Sequence, residues 1–285
     1  MKRYLLPLLA ILLLASCKSA PAQKVMARAV PERADDFVFE NNLIAGRFYG
    51  KALEGNPTSP GLDIWVKLPG KLVADEWYKG AMEEGNYYHR DHGGKDCYKV
   101  AVSLGGGASV PVMEGKLCYP ATNYRSAEVL ETSPDKLVFA LHYPEWEMAE
   151  GIRVALDKKI TVTADSYFTA VEDTYTFSGT DSLTVAAGFK LHGKQQTVVQ
   201  SHEGADRLAI WEKASDQSVE PEDGMIGVAV VFPAAEKAVF CEKADHALLM
   251  KGIVSGEAIA YSFGSCWSKG DIKTAADWFA LVSAQ

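Results

Sequence analysis

Short runs in which apolar and polar residues alternate recur along this 285-residue chain. A period of two is what a strand buried on one face requires, because successive side chains point to opposite sides. Phe37-Val38-Phe39, Leu62-Asp63-Ile64-Trp65-Val66, Lys99-Val100-Ala101-Val102-Ser103-Leu104 and the segments 136–143, 153–156, 159–163, 167–172, 182–189, 208–212, 226–232 and 258–263 all read this way. Gly, Pro, Asp and Asn separate them, so the chain predicts an all-β fold, a large antiparallel β-sandwich rather than βαβ units. Helical periodicity is scarce. One short C-terminal helix is expected where Thr274 precedes Ala275-Ala276-Asp277-Trp278-Phe279-Ala280-Leu281-Val282. The Gly105-Gly106-Gly107 triplet is expected to be a turn that lets backbone approach closely.

The chain opens with Met1-Lys2-Arg3, an apolar run from Leu5 to Leu14, and then Ala15-Ser16-Cys17. A basic start, an apolar stretch too short for the ~20 residues that span a bilayer, and small residues before a cysteine are the layout of a lipoprotein signal. Residues 1–17 are therefore expected to be a signal peptide with Cys17 the lipidation site, 18–30 a tether, and 31–285 the β domain. Lys18-Ser19 after Cys17, with no Asp there, resembles bacterial lipoproteins sorted to the outer membrane, so the expected location is that membrane, facing the periplasm or the exterior, reached through the lipid anchor.

Removing Lys2 and Arg3 moves the formal charge from -8 to -10. No basic cluster stands out, which argues against a nucleic-acid partner. An exported location permits disulfides, and Cys97 with Cys118 or Cys241 with Cys266 are local candidates. Four free thiols are the equal alternative. No C-x-x-C spacing suggests zinc, and no nucleophile elbow, P-loop or zinc-protease helix is present.

The densest group of polar and aromatic side chains is Tyr87-Tyr88-His89-Arg90-Asp91-His92-Gly93-Gly94-Lys95-Asp96. On an extended segment Tyr87, His89 and Asp91 share a face, giving a base, an orienting carboxylate and a phenol. Metal binding by His89, Asp91 and His92 lacks a recognised spacing, and no metal is expected. A second group comprises Asn41, Arg47-Phe48-Tyr49-Gly50, Asp63, Trp65 and Trp77-Tyr78-Lys79-Gly80, with Asn123-Tyr124-Arg125 further on. Flat aromatic rings and amides suit a sugar, and an arginine suits a carboxylate. Trp65, Trp77, Lys79, Asn41, Tyr124, Arg47 and Arg125 are thus candidate substrate contacts. Burial of both tryptophans in the core is the plainer explanation. His246 reaches the same cleft if the sheet curls round. His192 and His202 read as ordinary strand-end histidines.

The stretch 31–42, Gly61-Leu62-Asp63-Ile64-Trp65, Trp77-Tyr78-Lys79-Gly80, Tyr88-His89-Arg90-Asp91-His92-Gly93 and the closing Tyr261-Ser262-Phe263-Gly264-Ser265-Cys266-Trp267-Ser268-Lys269-Gly270 resemble an uncharacterised domain family of exported Bacteroidetes lipoproteins. The resemblance implies a β-super-sandwich of the galactose-mutarotase kind. It also implies a setting among enzymes that degrade polysaccharides, often uronic-acid polymers.

Together these features point to β-elimination at a uronic acid, by a lyase or dehydratase acting on oligosaccharides. His89 would be the base, Asp91 its orienting group, Arg47 or Arg125 the carboxylate's partner, and Tyr87 or Tyr88 the acid. No redox cofactor is required. The alternatives are a glycan-binding lipoprotein without catalysis, a glycoside hydrolase using two of Asp63, Asp91, Glu172 and Glu212, and a mutarotase-like enzyme pairing a histidine with a carboxylate.

Overall fold

The computed structural model describes residues 22–56, 61–193, 198–201, 206–214, 220–241 and 245–285. The expected signal peptide with Cys17, residues 18–21 of the expected tether, and His202 lie outside the described residues, and the end of that tether is instead a strand, Val25–Val30. The strands are β1 (Val25–Val30), β2 (Asp36–Asn41), β3 (Ala45–Phe48), β4 (Leu62–Lys67), β5 (Gly94–Lys95), β6 (Ala108–Met113), β7 (Lys116–Leu117), β8 (Ser126–Thr132) and β9 (Lys136–Ala149). They continue with β10 (Ile152–Thr163), β11 (Phe168–Ser178), β12 (Leu183–Lys190), β13 (Val198–Ser201), β14 (Arg207–Lys213), β15 (Met225–Val231), β16 (Lys237–Cys241), β17 (His246–Ile253) and β18 (Ala258–Trp267). The helices are α1 (Ala74–Glu84) and α2 (Ala275–Ser283).

Three antiparallel sheets result. One runs β1 to β5 in chain order, an eight-stranded sheet has the order β13-β14-β15-β18-β11-β10-β9-β8, and the third is β16-β17-β12-β6-β7. Alternation decides what each strand buries. In β10, Val154, Leu156, Ile160 and Val162 face inward while Arg153, Asp157 and Lys159 face water. Side chains from all three sheets, among them Phe39, Ile64, Phe139, Val185, Val230 and Phe263, meet in one apolar core. Each fully buried side chain of this size contributes about 1.5–3 kcal/mol of transfer free energy. Lys158 also lies on the inward set of β10, and Asp173 of β11 holds its Nζ at 2.6 and 2.7 Å.

Three sequence expectations need correction. The alternation of 99–104 is no strand, for the backbone bends there and Ala101 takes a φ of 50°. The runs 153–156 and 159–163 are one continuous strand. A second helix, α1, was not anticipated, because its N-terminus lacks any local capping side chain. Its cap comes instead from Glu40 on β2, whose carboxylate accepts from the backbone amides of Val73 and Ala74 at 2.9 and 2.8 Å. The C-terminal helix is as expected, with Thr274 accepting from the amide of Asp277. Gly105 has a φ of 60°, and a Cβ there would collide with the Leu62 carbonyl, so the glycine turn does bring backbones together. No disulfide joins Cys97 and Cys118, and Cys266 is a buried thiol. The side chain of Cys241 lies outside the described residues.

Candidate functional site

Charged residues inside otherwise apolar strands build the site. Register places Arg47 of β3 opposite Asp63 of β4 and beside β2, which carries Asp36. The buried guanidinium then donates to three carboxylates: Nε to Asp63 at 2.7 Å, Nη2 to Asp96 at 3.1 Å and Nη1 to Asp36 at 3.4 Å. Its carbon sits over the rings of Trp65 and Tyr88 at 5.1 Å and Tyr49 at 5.4 Å. An isolated buried charge would be prohibitive, and this many partners keep Arg47 ionised.

Arg47, Asp63, Asp96 and Tyr49 line a cavity of about 130 Å³ together with Arg33, His89, Tyr98, Leu53, Asn56, Val100 and Ala101. Burial pushes His89 below its ordinary value, a hydrogen bond to the Asp96 carbonyl opposing it, so the imidazole is neutral at pH 7. Burial raises Asp36 to about 6 against the pull of Arg47 and Arg33. Tyr49 is pushed well above the phenol range by burial and by Asp63, whose Oδ2 accepts its hydroxyl at 3.0 Å. The cavity therefore offers a neutral base, a protonated phenol, and Arg33, whose side chain is 29% exposed and pairs with Asp36 at 3.3 Å. Among the described residues no group of three or more His, Cys, Asp or Glu is arranged to hold a metal ion.

Of the sequence candidates, His89 and Arg47 meet here. The alternation expected for 87–92 fails because Tyr87–His89 is a turn of 3₁₀ helix. Tyr87 stacks on His92 with ring centroids 3.8 Å apart and its hydroxyl meets Glu76. Tyr88 packs into the core against Trp65. Asp91 binds Lys269 at 2.7 Å, so Asp96 is the carboxylate beside His89.

The expected sugar platforms are closed. Trp65 of β4 and Trp77 of α1 are fully buried against one another, their ring centroids 5.2 Å apart. Asn41 spends its amide on the carbonyls of Thr163 and Ser166 and on the amides of Leu43 and Ile44. Arg125 donates from Nη2 to both oxygens of Glu54, Tyr124 donates to the Asp35 carbonyl, and Lys79 is exposed near Glu83. His246 is buried and accepts from the Leu104 amide, away from the cavity lining. His192 is no ordinary strand-end residue, since its nitrogens bond Glu212 and the Lys99 carbonyl at 2.6 Å each. Glu172 pairs with Lys159 on the surface.

Arg33, Asp36, Asp96 and Tyr98 were not singled out beforehand. Asp36 carried a usable signal, a carboxylate leading into the apolar Phe37-Val38-Phe39 run, and every residue of that strand is buried.

The chain matches the family described as a domain of unknown function, DUF4861, over residues 15–285. It belongs to that family. A protein of Formosa agariphila named "Uncharacterized protein P7" is 30% identical over 267 residues, 88% of this chain and 64% of its own length, so the chain spans just under two thirds of that relative. The solved GH36 alpha-galactosidase AgaB from Geobacillus stearothermophilus is similar at a TM-score of 0.42 and 10% identity, over 84% of this chain and 41% of that one. A galactose mutarotase related enzyme from Lactobacillus acidophilus gives 0.30 and 9%, over 81% and 97%. At such scores nothing about the site follows from these two structures.

Proposed function

We propose that this protein is an exported, lipid-anchored enzyme that acts on oligosaccharides by β-elimination at a uronic acid, with the cavity at His89 as its active site. The observation that carries the reading is the meeting, in one small polar cavity, of a neutral histidine, a protonated tyrosine and a partly exposed arginine. Elimination needs these three functions. His89 takes the proton next to the sugar carboxylate, the C–H electrons form the new double bond, the C–O bond breaks, and the departing oxygen receives the proton of Tyr49. Arg33 faces the substrate carboxylate and steadies the enolate. Arg47 is already neutralised by three carboxylates, so it positions Asp63 and Asp96 instead of binding substrate. The roles first given to Asp91, Tyr87, Tyr88 and Arg125 pass to Asp96, Tyr49 and Arg33. The export and anchoring parts of the proposal rest on the segment ending at Cys17.

A second reading, epimerisation of a sugar by a histidine and a carboxylate, is favoured by Asp63, which lines the same cavity as His89. One experiment separates them. The full mature chain is incubated with a panel of uronate-ended oligosaccharides, following ultraviolet absorbance of a conjugated double bond and, by NMR, the sugar's configuration. Unsaturated product, with His89→Ala slower by about 100-fold or more, supports elimination. Changed configuration without unsaturation supports the second reading. Unaltered glycan, or full activity in His89→Ala, defeats the elimination mechanism.

A further inference from the structure

The segment 98–104 takes a course that its own residues do not favour. Alternation there suits an extended strand, yet the backbone bends, and Ala101, which is not a glycine, takes a φ of 50°. A residue with a Cβ stays in that conformation only where its surroundings hold it. Tyr98, Val100 and Ala101 of this segment line the cavity at His89, so whatever holds the bend also shapes the site. Within the segment, the Ser103 hydroxyl donates to the Val100 carbonyl and accepts from the Gly105 amide. Other holds come from one end of the β12–β17 pair. There the Lys190 carbonyl accepts from the Tyr98 hydroxyl at 2.7 Å, and His246 accepts from the Leu104 amide at 3.2 Å. His192, two residues beyond β12, bonds the Lys99 carbonyl at 2.6 Å.

Of these holds, the one from His192 reaches nearest to the bend and is itself held. A carbonyl only accepts, so Nε2 carries the proton in the bond to Lys99. Nδ1 meets Glu212 of β14 at 2.6 Å, and that carboxylate sets the orientation of the ring. Both side chains are nearly enclosed, 7% and 4% exposed, and the Tyr98 ring stands edge-on to the imidazole with centroids 4.6 Å apart. A hydrogen bond is stronger in such a place than at the surface. We infer that His192, oriented by Glu212, is a positioning residue of the candidate site: it fixes the Lys99 carbonyl and thereby keeps Tyr98, Val100 and Ala101 on the bent course that walls the cavity. Without that bond the segment relaxes toward the extended course its alternation favours, and Ala101 leaves its strained conformation. The inference rests on the reading of the cavity as the active site, but not on elimination being its reaction.

The test compares the full mature chain with His192→Ala and with His192→Gln, which keeps a donor for the Lys99 carbonyl. Trypsin reports the hold directly, because the carbonyl that His192 binds belongs to the Lys99–Val100 peptide bond and the Lys99 residue is exposed. In His192→Ala, cleavage after Lys99 should run about 10- to 100-fold faster, the gain in open population from losing one enclosed hydrogen bond. Cleavage after Lys159 on β10 should not change. On the panel of uronate-ended oligosaccharides, kcat/KM should fall by about 10- to 100-fold, as displacement of a site wall costs, and His192→Gln should recover most of both effects. Unchanged cleavage after Lys99, faster cleavage at every site, no recovery in His192→Gln, or a loosened segment with undiminished turnover overturns the inference. If His192→Ala does not fold, nitrogen-15 NMR of the unaltered chain decides. A slowly exchanging Nε2 proton coupled to the Lys99 carbonyl supports the hold, and a bare Nε2 overturns it. Loosening and recovery as stated, with a glycan turned over but no unsaturated product, leave the inference standing and remove elimination. Unsaturated product with cleavage after Lys99 indifferent to residue 192 does the reverse. Where the unaltered chain turns over no glycan, the sugar reading falls and proteolysis alone decides whether His192 holds the wall.

Discussion

Nδ1 of His89 lies 3.8 Å from Oδ2 of Asp96 and 3.4 Å from the carbonyl oxygen of that same residue. Asp91, closer along the chain, is turned to Lys269. Both aspartates are near His89 in sequence, and the turn at Tyr87–His89 decides which one serves it.

The two carboxylates should respond differently to removal. Asp91→Ala deletes a partly exposed ion pair and should change unfolding free energy by at most about 1 kcal/mol. Asp96→Ala takes a partner from the buried Arg47 and should cost about 3–5 kcal/mol. Urea denaturation monitored by tryptophan fluorescence measures both, and equal losses would contradict the placement of Asp96.

Arg47→Met leaves Asp36, Asp63 and Asp96 without their shared cation. A loss of about 3–5 kcal/mol at neutral pH is expected. It should shrink as pH falls through about 6, where Asp36 takes up its proton and no longer needs the charge. Denaturation curves collected from acid to neutral pH check this, and a loss independent of pH would argue for packing alone.

Asp36 imposes a pH dependence of known sign. Its carboxyl is raised from 3.8 to about 6, first by burial, with Arg47 and Arg33 opposing. Between those two values the folded chain keeps a proton that the unfolded chain releases, so stability falls as pH rises through the window. The penalty is absent below about 3.8 and complete above about 6. It corresponds to about 3 kcal/mol. Asp36→Asn cannot ionise and should flatten that part of the stability profile. An unchanged slope between about pH 4 and 7 would show that Asp36 is not the titrating group.

Glu40 should be among the most sensitive positions away from the cavity. Its carboxylate caps α1 and also accepts from Lys67 Nζ at 2.8 Å, with both side chains fully buried. Glu40→Ala strands the lysine and two helix amides, and about 3–5 kcal/mol should be lost. Glu40→Gln keeps an acceptor and should lose less. Thermal melts of the two variants test the order.

Much of the fold was legible in the chain because period two is a local property. The runs around Phe37, Leu62, Lys136, Tyr167 and Ala258 became β2, β4, β9, β11 and β18, and Thr274 marked the start of α2. Local reading failed where a distant residue supplied the determinant. Helix α1 has its cap on β2, thirty-four positions from Ala74, and the segment 99–104 bends despite its alternation.

Within the site, the chain itself determined that Arg47, Tyr49, Asp63 and His89 would be present. Which of them converge was decided by strand register and by the turn at Tyr87–His89, neither of which is set by composition. The tertiary structure buried Trp65 and Trp77 and spent Arg47 on three aspartates. The physical reason is that alternation assigns a side chain to a face, whereas partners across sheets and loops determine whether a charge on that face is compensated or left for a ligand.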